Sequence, residues 1–118
     1  MARALDTSFL PDPLAAGLWP WIDLVEMAGV GMGAKLRMTA ENTVALLRRE
    51  LRMTPPIETA LLDALHASDT LARDLDRTSF FQTEARTDAL LALHALVLWL
   101  QAAKLQSGDE LYEISFPG

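Results

Sequence analysis

Two histidines, His66 and His94, are the side chains best suited to move a proton near neutral pH in this 118-residue chain. On a helix, His66 shares a face with Asp63, three residues before it, and Thr70, four residues after it. A carboxylate so placed can orient an imidazole or help to hold a cation. Two ligands do not make a metal centre, and helical metal sites repeat a Glu-x-x-His pattern that this chain lacks. His66 therefore reads as a surface or boundary residue. His94 has Leu90, Leu91, Val97 and Leu98 as helical neighbours, which predicts a buried, neutral imidazole. Such a ring needs hydrogen-bond partners from other elements, with Glu26, Glu41, Asn42 and Thr43 as candidates. It could serve the core, an interface, or an inter-helix pocket as the polar point for an apolar ligand. Trp99, Trp21 and Met27 would wall that pocket.

Other chemistry finds little support. The chain has no cysteine, which removes disulfides, thiolate nucleophiles and cysteine-held metals. Ser68 and Ser79 have no nucleophile-elbow glycines around them. Gly29-Val-Gly-Met-Gly33 lacks the Lys-Ser/Thr that completes a phosphate-binding loop. These glycines instead mark a chain break or a close approach of two backbones. No catalytic, cofactor-binding or metal-binding residue is assigned, and whether the chain is an enzyme is left open.

The elements that must position these residues are helical. Ala89 to Leu100 is apolar apart from His94, too short to cross a membrane and too apolar for an ordinary bundle surface. It must fill a core, line a pocket or meet another chain. Leu36, Ala40, Val44, Leu47 and Leu51 recur at helical spacing, as do Ile57, Leu61, Leu65, Ser68, Leu71 or Ala72, and Leu75. Thr54-Pro55-Pro56 reads as a helix start. Ser79 with Gln82 fits a capping box. Gly17 and Pro20 argue against one long N-terminal helix, although Asp12-Pro13 is a good helix start.

The expected fold is all-α: a four-helix bundle-like domain with helices at about 20–29, 34–52, 56–77 and 80–106. Tyr112, Ile114 and Phe116 alternate, so residues 110–116 form a short extended C-terminal tail. At this length one domain, 1–118, is expected.

Net charge is −6, which disfavours nucleic acid as a partner. The charge is uneven: Lys35, Arg37, Arg48, Arg49 and Arg52 outnumber Glu41 and Glu50, while acidic residues dominate from position 53 onward. Arg48, Arg49 and Arg52 are expected to meet acidic groups on the third helix or on a partner. No signal peptide or transmembrane segment is read, and the absence of cysteine fits a cytoplasmic protein.

The favoured reading is a non-catalytic binding or accessory protein that works through helical protein–protein contacts as a homo-oligomer. Its fourth helix carries two apolar stripes on opposite sides. One is Leu91, Ala95, Leu98 and Ala102; the other is Leu93, Leu96 and Leu100. The interface is assigned to Leu93, Leu96 and Leu100, with Trp19 and the three arginines. One alternative is a small-ligand binder or enzyme with the His94 pocket. Another is a protein that associates with a lipid or polymer surface through the N-terminal tryptophans.

Overall fold

Apolar residues recurring every three or four positions give each segment one face that must be removed from water. In the computed structural model, residues 12–77 and 82–107 are described, with side chains over 16–77 and 84–103. Among them are four α-helices and no strand: α1 Asp12–Met27, α2 Gly33–Glu50, α3 Pro55–Asp76 and α4 Gln82–Ser107. The fold is the expected all-α four-helix arrangement. Ser79 and the tail at 110–116 lie outside the described residues.

The helices close a ring: α1 packs on α2, α2 on α3, α3 on α4, and α4 back on α1, with α3 and α4 sharing the largest contact. The periodic residues fill its centre, except Leu65, which is only partly buried. Leu36, Ala40, Val44, Leu47 and Leu51 are buried from α2 and its end, and Ile57, Leu61, Ser68, Leu71, Ala72 and Leu75 from α3. Trp21 of α1 reaches across this core. Its indole Nε1 donates to Ser68 Oγ on α3 at 2.8 Å, both side chains being fully buried. A buried indole N–H without an acceptor would be costly, so the hydroxyl has a structural use.

α1 departs from the expected start near Pro20. It opens at Asp12 and carries Gly17 and Pro20 inside one helix. Proline removes one backbone donor and crowds the preceding turn, at about 3 kcal/mol or more. Leu18, Trp21, Ile22 and Val25 are all buried, and each such side chain contributes roughly 1.5–3 kcal/mol. Their sum exceeds the proline penalty, so packing overrides local propensity. Thr43 Oγ1 of α2 also donates to the Gly17 carbonyl at 2.9 Å, beside the turn that the proline disturbs.

The α1–α2 connection explains two of the glycines. Gly31 has φ +87°, in the left-handed region where side chains are strained, and its N–H donates to the Leu75 carbonyl at 3.0 Å. Gly33 begins α2 against the end of α3. A Cβ there would collide with the Ala72 carbonyl and the Asp76 carboxylate. At the start of α3, Thr54 is the cap residue, but its side chain makes no capping bond. Pro56 occupies a position whose N–H would ordinarily donate that bond.

Arg86 of α4 closes the other end of α1. Its guanidinium donates to the carbonyls of Val25 at 2.6 Å and Ala28 at 2.7 Å. α1 has no basic residue in its own last turn. The cation from α4 therefore satisfies carbonyls at the helix's negative end.

α2 and α3 are also joined by charge. Arg37 Nε donates to Asp69 Oδ1 at 2.9 Å, Arg73 Nη2 to Asp69 Oδ2 at 2.6 Å, and Arg37 Nη1 to Asp76 Oδ2 at 3.5 Å. The hydrogen bonds from Arg73 and then Arg37 hold the Asp69 carboxyl below the usual carboxylate range. A depressed carboxylate stabilises the fold above its unfolded pKa of about 4, and that contribution is lost as pH falls through the folded value. The Asp69 side chain is 37% exposed, so water screens the pairs. Asp69→Asn is expected to lower stability at neutral pH by at most about 1 kcal/mol. The difference should shrink below about pH 4. Urea unfolding of parent and variant at neutral and acid pH checks this; a pH-independent difference would contradict it.

Candidate functional site: the outer face of α4

α4 owes its two-sided character to the run that begins at Ala89. On the inner side, Leu93, Leu96 and Leu100 are 0% exposed, together with Ala89 and, nearly so, Val97. These three leucines were expected at an interface; they are core residues of their own chain. The charged neighbours supply the reason. Extending the inner stripe toward the N-terminus meets Ala89 and Ala85, both buried. Extending the outer stripe meets Asp88 and Glu84, both exposed. A helix turns its carboxylates to water, and that choice carries Leu91 and Leu98 outward with them.

The outward stripe is Leu91, Ala95, Leu98 and Ala102, all exposed, flanked by Trp99. Leu91 is 64%, Leu98 50% and Trp99 48% exposed, large values for residues of these types. Beside the stripe runs a groove of about 520 Å³ between α3 and α4. Its floor and α4 wall are Ala60, Ala92, Ala95 and Leu91, and Trp99 closes one end. The α3 wall is Pro55, Pro56, Thr59 and Asp63. The groove exists because α4 presents alanines, not leucines, where it faces the first turns of α3. Thr59 and Asp63 were not singled out as groove residues from sequence, and nothing in their local pattern distinguishes them from an ordinary solvent face.

The expected ligand pocket is not assembled. His94 lies exposed on the outer side of α4, not buried. The leucines at three and four residues from it include Leu91 and Leu98, which are themselves exposed, so its apolar surroundings are surface. Trp21 is fully buried in the core, and Met27 is 79% exposed at the end of α1. Trp99 lines the groove without any of these three. Trp19 is half-buried and packs against the core. With Trp21 sealed, the N-terminal tryptophans do not present a shared surface.

The arginines sit at the end of the bundle where α2 hands over to α3. Arg48 pairs with Glu58 on α3, and Arg49 with Glu50 at 3.1 Å; Arg52 is exposed. The contact of Arg48 with the third helix is as expected. A second cleft, about 450 Å³, opens between α2 and α3 and is lined by Arg37, Ala40, Glu41, Leu62, Leu65, His66 and Asp69. Its cation is already paired with Asp69, which also accepts from Arg73.

Among the described residues no group of three or more His, Asp or Glu side chains could hold a metal ion. Among the same residues no helix is long and apolar enough to cross a membrane. No protein-family model, no curated protein and no solved structure matches the chain.

Proposed function

We propose that this protein is a binding or accessory module that self-associates through the outer face of α4, without catalysis of its own. The observation that carries the reading is the exposed row of Leu91, Ala95, Leu98 and Trp99 beside the α3–α4 groove. Contiguous exposed apolar surface of this kind marks interaction sites. A half-exposed tryptophan next to a groove is the sort of anchor on which interface energy concentrates. Charge is placed around the row, at Glu84, Asp88 and Asp63, and not within it. That arrangement, an apolar centre with a polar rim, is the anatomy of a protein interface. The cysteine-free composition fits a cytoplasmic setting.

Light scattering on the purified chain tests the reading. A mass above the 13.0 kDa of one chain is expected, and Leu98→Glu should return it to one chain while the far-ultraviolet helical signal stays unchanged. A clean 13.0 kDa species of the parent at high concentration would overturn self-association.

A further inference from the structure

Resting on that reading, we infer that the occupant of the α4 face is a second copy of α4 running antiparallel, related by a two-fold axis that passes between the two helices at the level between Ala95 and Leu98. The spacing of the outer stripe is the first reason. Leu91, Ala95, Leu98 and Ala102 alternate four and three residues apart, the spacing at which a helix keeps one seam toward a partner helix. Large and small residues alternate along it. Read in the reverse direction the seam is Ala, Leu, Ala, Leu. An antiparallel copy therefore sets Leu91 against the partner's Ala102 and Ala95 against the partner's Leu98. Each leucine meets an alanine, and the helices can approach closely along the whole seam. A parallel copy would set leucine on leucine and alanine on alanine, alternately crowding and emptying the contact. A two-fold interface requires this kind of self-complementarity.

Charge gives the second reason. In a parallel pair Glu84 and Asp88 would face their own copies at the same level, which is repulsive. In the antiparallel pair they lie at opposite ends of the dimer.

The seam from Leu91 to Ala102 is only about 16 Å long at 1.5 Å per residue. A stable interface needs on the order of 800 Å² from each partner. The groove beside the seam would extend the contact. An α4 copy antiparallel to α4 runs parallel to α3 and lies along the wall of Thr59 and Asp63, with Trp99 against its side.

The natural chain has no cysteine, so single introduced thiols report pairing without background. Leu91→Cys and Ala102→Cys lie on the exposed seam, and both variants are checked for parent-like circular dichroism. They are co-expressed with distinguishable tags, and each is also oxidised alone. The antiparallel dimer predicts a Cys-linked pair made of one chain of each kind. It predicts no self-linked pairs, because two copies of position 91 would stand about 16 Å apart along the axis. Self-linking of each variant alone would overturn the orientation in favour of a parallel pair. A dimeric mass with no linkage of either kind would place the dimer on another face, overturning this inference and the use of the α4 face, while leaving self-association itself in place. A monomeric parent would overturn both.

Discussion

Leu93→Glu is expected to leave the chain without a stable fold, while Leu91→Glu keeps one. Leu93 is 0% exposed between α4 and the rest of the core, and Leu91 is 64% exposed two positions earlier. Removing a buried leucine side chain costs roughly 2–5 kcal/mol. Burying a carboxylate without a partner adds several kcal/mol more, or forces the group to bind a proton. Small domains have about 5–15 kcal/mol in all, so the penalty consumes most of it. The surface change should alter stability by no more than about 0.5 kcal/mol in the monomer. Thermal melts followed at 222 nm separate the two variants. A cooperative, parent-like transition for Leu93→Glu would show that the inner face of α4 has been assigned the wrong way round.

That pair of substitutions also shows where sequence reasoning reached its limit. The stripes of α2 and α3 were legible because polar residues interrupt them on one side. Leu36, Ala40, Val44 and Leu47 could face only inward, and they do. The Ala89–Leu100 run offered two apolar stripes of similar strength and no internal sign of which faced the core. The sign lay just outside the run, in Ala85 against Glu84 and Asp88. His94 failed for a related reason. Helical neighbours show what surrounds a residue on its own helix, but not whether that surface is covered by another. Pro20 failed because propensity was weighed without the four side chains that α1 buries around it. The α3–α4 groove was not legible at all, since its walls come from separate helices, Asp63 and Leu91 being the wall residues nearest in sequence.

Trp21→Ala is expected to destabilise the fold by about 3–5 kcal/mol, the second-largest effect of a single change considered. The indole is fully buried and spans from α1 to α3, so its removal opens a cavity at the centre. The bond to Ser68 makes a finer comparison available. Ser68→Ala keeps the packing but strips the acceptor from a buried N–H, at about 1–3 kcal/mol. The two losses share one contact, so the double variant Trp21→Ala with Ser68→Ala should fall short of their sum. Denaturant unfolding of the parent and the three variants reads out the coupling. Full additivity would mean that the bond contributes nothing beyond the shape of the two side chains.

Arg86 has a consequence of another kind. The stop signal of α1 is not written in α1; it is supplied by a side chain 58 and 61 positions further along the chain from the carbonyls it satisfies. A segment comprising α1 alone would be punctuated differently from the same residues within the whole. Early and late parts of the polypeptide thus share one boundary, and fraying at the end of α1 and loosening at the start of α4 become a single event. The bundle behaves there less like a row of four independent rods than like a belt whose buckle is a guanidinium.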